Sequence, residues 1–475
     1  MNDVLQPEMI PEFAVLGHPN EGKSSVVSTL TEDDRIKVSC IPGETTQSKK
    51  YTVRIDGQDI IRFVDTPGFQ VPKQTLTWFK GFDGDPGKIV DQFIDTFKND
   101  IFFADECELL RPLARGAGII YVVDGSRPVR DDDLAEMEIL RLTGRPRMAI
   151  INSKTEKKDY TADWKQEFRK HFNAIRVFNS NTANFTERIK MLESLQAIDQ
   201  EWEPMLSRVI LAFKKDWIKR NQLVCAAMIR SMEQSLTFFL SQSLTSSSDK
   251  DAIKEELTQK YQTHIKEMEI QLFKKIRALF KHHLFEVHLP EYSILRHDLF
   301  SKQTWELLGL TKEQLAAAGA IIGGTMGAIL DTAAAGITFG VFTALGGIIG
   351  AGSALFSGKK IAGQKTAGFR FGGDKLQLGP NKNLQFLYIL IDRALIYYSH
   401  IIHRPHGKRE ITKVSGKTDS GKLGYSTGFS LSQRNICAKF FKAVTGRSFI
   451  KEKKAGLEFE ALIESILKDI SNPTE

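Results

Sequence analysis

The stretch Gly17-His18-Pro19-Asn20-Glu21-Gly22-Lys23-Ser24 follows the apolar run Phe13-Ala14-Val15-Leu16. Its G-x-x-x-x-G-K-[ST] spacing constrains the chain more than any other feature. A strand that ends in such a loop and opens a helix directs backbone N–H groups around phosphate. Gly17 and Gly22 give the backbone its freedom, Lys23 reaches the outer phosphates, and the Ser24 hydroxyl ligates Mg²⁺. The expected phosphate contact is the whole of Gly17 to Ser25, with His18, Pro19, Asn20 and Glu21 forming the wall of the loop.

Ser25 to Leu30 continues as a short helix, and Lys37 to Gln47 is a loop rich in Pro, Gly and Thr. Tyr51, Val53 and Ile55 alternate with polar residues, Asp56-Gly57 is a turn, and Ile60 to Val64 is the return strand of a hairpin. That strand ends in Asp65-Thr66-Pro67-Gly68, a carboxylate at a strand tip followed by a glycine whose N–H can meet a terminal phosphate. Further strands are expected at Gly118 to Asp124, Arg147 to Ile151 and Ile175 to Phe178. The fold class is an α/β domain with a mostly parallel sheet and helices on both faces, followed by a mainly α-helical C-terminal half. Between Phe69 and Gly118, Val90, Phe93, Ile94, Phe97, Ile101 and Leu109 recur at helical spacing, which predicts an amphipathic helix. Arg111 and Arg115 at its end are either arginine fingers in cis or solvated surface residues, the commoner case.

Gly17-x-Pro19-Asn20-x-Gly22-Lys23-Ser24-Ser25, Pro42-Gly43-Glu44-Thr45 and Asp65-Thr66-Pro67-Gly68 together resemble the first three signatures of Era/TrmE/EngA-like P-loop GTPases. The whole chain resembles bacterial members of that branch whose C-terminal half is a glycine-rich domain of unknown function. The resemblance implies GTP and GDP as ligands, with Lys23, Thr45, Asp65 and Gly68 as the catalytic set and Ser24, Thr45 and Asp65 around Mg²⁺. Thr46 is the fallback for Thr45, and Asn20 matches the residue that coordinates an activating K⁺ in several relatives. Two positions depart from the pattern. Phe69 stands where small GTPases carry a water-orienting glutamine, so turnover is expected to be slow. After the fifth strand the chain reads Asn152-Ser153-Lys154-Thr155-Glu156 in place of Asn-Lys-x-Asp, which assigns Asn152 to the guanine edge and leaves the carboxylate as Glu156, Asp159 or none.

A chain of 475 residues has room for two to four domains. Its four cysteines include no C-x-x-C pair, and no basic start leads into an apolar core at Met1, so a reducing cytosol is the expected setting. The net charge of +7 is unevenly placed, with 20 Lys/Arg against 5 Asp/Glu between Lys359 and Lys454, which marks a basic surface for an anionic partner. The expected division is a GTPase domain over 1–195, a helical stalk over 196–312, a glycine-rich apolar hairpin over 313–360 and a basic helical region over 361–475. Within the stalk, Trp202 to Leu244 and a second helix from Ile253 are expected to pair, with a break at Ser246 to Asp249.

Leu315 to Gly358 is 44 residues with one charge, Asp331, and with Gly319, Gly323 and Gly327 four apart. Small residues at that spacing let helices approach closely, a device useful in lipid. As helices its two arms reach roughly 24 Å and 39 Å against an apolar bilayer core of about 30 Å. A membrane-inserted hairpin is therefore expected, favoured by the adjacent Lys359-Lys360 block, with a buried soluble hairpin as the alternative. Leu384 to Ile402 is a further apolar helix, but Asp392 and Arg393 at its middle assign it to a protein core. His400, His403 and His406 have metal-like spacing that Pro405 interrupts. The expected function is a GTP-binding switch with slow Mg²⁺-dependent hydrolysis, coupled to membrane lipid at the cytoplasmic face of the cell membrane and assisted by an activating protein or by a homodimer. The alternative is a soluble GTPase that binds RNA or the ribosome through its basic half, although no nucleic-acid motif is present there.

Overall fold

The computed structural model describes residues 10–32, 47–152, 159–179, 185–243, 249–281, 293–322, 375–381, 383–403, 423–446 and 449–471. The chain divides into two compact units. One takes in the described residues of Met1–Lys219, Phe280–Glu286 and Ile402–Glu410, and the other those of Arg220–Leu279, Val287–Ile401 and Ile411–Glu475.

The first unit is built on six strands: β1 (Glu12–Leu16), β2 (Lys49–Ile55), β3 (Gln58–Asp65), β4 (Gly118–Asp124), β5 (Arg147–Asn152) and β6 (Ala174–Phe178). Their order in the sheet is β2-β3-β1-β4-β5-β6, with β2 antiparallel to β3 and every other pair parallel. The continuous apolar runs of β1, β4 and β5 belong to central strands covered on both faces, whereas the alternating β2 is an edge strand. The period of two sorts their side chains. Phe13, Val15, Ile120 and Val122 join one core with Val26, Val27 and Leu30, while Ala14, Leu16, Ile119, Tyr121 and Val123 join the other with Met137, Trp164 and Phe168. The helices of this unit are α1 (Lys23–Thr31), α2 (Pro72–Gly81), α3 (Ile89–Phe97), α4 (Ala104–Ala114), α5 (Asp131–Leu142), α6 (Thr161–His171) and α7 (Phe185–Gln196).

The insertion after Phe69 is three helices, α2 to α4, and not the single amphipathic helix that its spacing predicts. Local hydrogen bonds punctuate the insertion: Asp85 accepts from Gly87 N at 2.9 Å ahead of α3, and Asp100 accepts from Phe102 N at 2.9 Å inside the run. The apolar residues then meet across helices, as with Phe97 and Phe103, whose ring centroids lie 4.2 Å apart. Arg115 sits 3.9 Å from Glu12, at the end of β1 remote from the phosphate loop, so it cannot serve as a finger in cis.

The division between the units falls inside α8 (Glu203–Thr237). The expected helix to Leu244 stops at Thr237, and Leu240–Ser243 is a strand, β7, paired antiparallel with β8 (Lys375–Leu378) in the register Leu240↔Leu378. α9 (Lys250–Leu279), α10 (Lys302–Leu307), α11 (Lys312–Ile322) and the helices Leu384–Ile402, Leu431–Gly446 and Phe449–Ser471 complete the unit. Leu384–Ile402 is its core helix. Asp392 is fully buried and accepts from Gly309 N at 2.7 Å, Ser426 N at 2.7 Å and Ser426 Oγ at 2.8 Å. Arg393 donates to both oxygens of Glu269 at 2.5 and 2.8 Å and to His297 O at 3.0 Å. Among the described residues, no helix is long and apolar enough to cross a membrane and no group of His, Cys, Asp and Glu is arranged to hold a metal. Of the glycine-rich segment only 315–322 falls in a described helix; the remainder, like His406, lies outside the described residues.

Candidate nucleotide site

The parallel sheet brings the ends of β1, β3, β4 and β5 to one edge, where an open α/β sheet binds ligands. The phosphate loop leaves β1 there. Gly17 has φ +137°, and a Cβ on it would lie 2.2 Å from Val122 O, so only glycine lets the loop leave the sheet at this point. Asn20 at the exposed tip and Gly22 at the N-cap of α1 also take left-handed backbone, with φ of 68° and 97°. No side chain caps α1. Its first N–H groups and the positive end of its dipole therefore face the loop interior, as an anion site requires. Lys23 Nζ donates to Gly17 O at 3.0 Å and to His18 O at 3.1 Å, which holds the ammonium over the loop that its neighbours form.

Ser24 Oγ donates to Asp65 Oδ2 at 2.7 Å, which joins the phosphate loop to the strand tip. Asp65 is buried, its Oδ1 has no hydrogen-bond partner, and burial raises its carboxyl above the ordinary value against the opposing pull of Ser24, Lys23 and Lys49. A desolvated carboxylate with an orphaned oxygen beside a serine hydroxyl fits a hard divalent cation with oxygen ligands. Gly68 completes the sensing loop, and a Cβ there would lie 2.5 Å from Pro19 Cδ, so the two loops are in contact. The Phe69 ring is fully buried in the core.

Asn152, at the tip of β5, is fully buried, and its Nδ2 donates to Glu21 O at 3.1 Å. It therefore braces the phosphate loop. The Glu21 side chain accepts from Asp124 N and from Arg127 Nε, the latter at 2.6 Å. Arg127 also makes a two-pronged pair with Asp133 at 2.6 and 2.7 Å and lies 5.1 Å over the Trp164 ring, and these carboxylates raise its pKa despite burial. His18 Nδ1 lies 3.2 Å from Glu136 Oε1, and Tyr121 OH donates to Glu136 Oε2 at 2.8 Å. The Glu136 hydrogen bond raises the imidazole pKa, and burial raises that of Glu136 itself.

The fold thus assembles Gly17 to Ser25, Asp65, Gly68 and Asn152 at one edge. Thr45, Thr46 and Glu156 lie outside the described residues. Asp159, the other carboxylate considered for the base, is exposed and accepts from Thr161 N at 2.8 Å at the start of α6. Sequence reasoning placed Glu21 in the phosphate loop but not its bracing contacts, and it missed Arg127, Asp133 and Glu136. Glu136 carried a readable signal: it falls on the same face of α5 as the apolar Ile139 and Leu140, where an acid needs a partner.

Both parts of the chain resemble known proteins. Residues 165–467 match the model of a domain of unknown function (DUF3482), and residues 12–153 match that of a 50S ribosome-binding GTPase. GTPase Der of Pseudothermotoga lettingae is 27% identical over 217 residues, which cover 43% of this chain and 42% of that protein. GTPase Der of Bifidobacterium longum is 26% identical over 204 residues, covering 41% and 39%. The chain therefore spans about two fifths of the length of the curated relatives it matches. A crystal structure of Era in complex with MgGDPNP and nucleotides 1506–1542 of 16S ribosomal RNA matches over 40% of this chain and 57% of that one, at 17% identity and a TM-score of 0.29.

Proposed function

The chain belongs to the DUF3482 family and carries a GTPase domain of the Era and Der type, and from that premise we propose that it is a switch that binds GTP and hydrolyses it slowly. The observation that carries this reading is the Ser24–Asp65 contact at 2.7 Å with Asp65 Oδ1 left unpartnered at the mouth of the phosphate loop. Ser24, Asp65 and Thr45 would hold Mg²⁺, which when bound neutralises charge on the phosphates. Lys23 moves from the carbonyls of Gly17 and His18 onto the outer phosphates, and the Gly68 N–H meets the terminal one. Asn152 would take the guanine edge, with Glu156 as its companion. With Phe69 buried, no side chain at that position orients water. K⁺ at Asn20, an activating protein or a second copy of the chain then supplies the missing charge.

The C-terminal unit is the output of the switch. The finer reading, that it associates with lipid at the inner face of the cell membrane, rests on the composition of Leu315 to Gly358 and the basic block after it. Binding to RNA or the ribosome is the second reading, favoured by the description of the GTPase model that the first unit matches. Nucleotide titration and phosphate release test the switch itself. Lys23→Ala is expected to lose most GTP affinity, and unchanged binding would remove the assignment. Hydrolysis is expected to rise in K⁺ over Na⁺ and to lose that difference in Asn20→Ala. Flotation with anionic vesicles at high salt and salt-sensitive retention on ribosomal RNA separate the two outputs.

A further inference from the structure

Helix α4 lies in the insertion, outside every signature of the nucleotide site, yet it holds the polypeptide on both sides of the sensing loop. Glu106 is fully buried, and its Oε1 accepts from Gln70 N at 2.7 Å and from Val71 N at 2.6 Å. Those are the second and third residues after Gly68, where the chain turns into α2. Two positions along α4, Glu108 Oε1 accepts from Ser48 N and Glu108 O accepts from Ser48 Oγ, both at 3.1 Å. Ser48 directly precedes β2. Between these anchors, Phe69 shares its core with Leu109, Leu110 and Leu113 of the same helix.

Burying a carboxylate is costly, and burial raises the Glu106 pKa against the opposing effect of the two backbone hydrogen bonds. The second oxygen, Oε2, is buried with no partner. Capping the start of α2 needs no such group, because an Asp or Ser at position 71 would serve at the surface. A buried acid reaching in from a separate helix instead fixes where the segment begins.

We infer that Glu106 is a positioning residue for GTP hydrolysis: by gripping the Gln70 and Val71 N–H groups from α4, it holds the far end of the Asp65–Phe69 loop so that the Gly68 N–H meets the terminal phosphate. The inference rests on the switch reading above. It requires the contact to persist while the triphosphate is bound, and it acts on the step that senses the third phosphate, not on binding of the diphosphate.

Two measurements on the full chain test it. In Glu106→Ala, single-turnover phosphate release is expected to fall at least tenfold while GDP affinity stays within twofold, and Glu106→Gln, which keeps one acceptor oxygen, recovers most of the loss. Equal losses in GDP affinity and turnover, or full turnover in Glu106→Ala, overturn the inference and leave the switch reading intact. Wild-type chain that binds no GTP sinks both. Should Glu106→Ala fail to fold, hydrogen exchange on the wild type decides. The Gln70 and Val71 amides are expected to stay protected with GDP and with a non-hydrolysable GTP analogue alike, and rapid exchange in the analogue complex would show that the grip is released when the reaction occurs.

Discussion

Asp65 is a buried carboxylate held in place by one serine hydroxyl, and without a cation it destabilises the fold. Its folded pKa is raised, so its contribution is favourable at acid pH and is lost as pH climbs through the raised value. Asp65→Asn is therefore expected to be more stable than the wild type without Mg²⁺ at neutral pH, by roughly 1–3 kcal/mol. The advantage shrinks on acidification, and Mg²⁺-dependent turnover is lost; denaturant titrations at several pH values check this. On folding His18 gains a hydrogen-bond partner in Glu136, which raises its pKa. Its raised pKa means that the stability from the pair is full below the ordinary histidine value and fades as pH rises through the raised one. The ring is about a third exposed, so His18→Ala should cost under about 1 kcal/mol at pH 6 and less at pH 8. Residue types with one indispensable chemistry were legible in the sequence: Gly17, Lys23, Ser24 and Asp65 sit where their spacing puts them. Glu106 and Glu136, and the side-chain partners of Glu21, were not, because the partners of a buried acid lie up to 118 residues away and are chosen by the fold.

Among the elements, strand β4 could be read from its unbroken apolar run, and so could the assignment of Leu384–Ile402 to a protein core. In that helix the charges that argue against lipid are the ones that pin it: Asp392 to the backbone at Gly309 and Ser426, Arg393 to Glu269 of α9. Arg393→Ala strands Glu269 at a site only 11% exposed and is expected to cost about 3–5 kcal/mol. Arg393→Met should cost less, since it refills the apolar space. A shift of the denaturant midpoint with unchanged slope measures both. The breaks inside the insertion were missed because Asp85 and Asp100 act through side-chain-to-backbone bonds that interrupt helical spacing without changing its period. β7 escaped notice for a different reason: four residues, Leu-Ser-Gln-Ser, make a strand only because β8 lies beside them.

For the whole molecule, nucleotide binding is a stability statement about the unit that holds the loop. Mg·GDP at a hundredfold excess over its Kd is expected to add about 2.7 kcal/mol. Slower hydrogen exchange at β1 and β4, buried on both faces beside the loop, reads that gain directly, and exchange there that ignores nucleotide would contradict the site. The β7–β8 pairing also sets a schedule. The six-stranded sheet is complete in sequence by Phe178, whereas Leu240 waits for Leu378. At a synthesis rate of about 5–20 residues per second, that partner emerges from the ribosome roughly 7 to 28 s later. The second unit also ties Asn221 to Ser471, four residues from the end of the chain. The nucleotide-binding sheet can thus assemble as it emerges, while β7 in the other unit stays an unpaired edge until β8 is made.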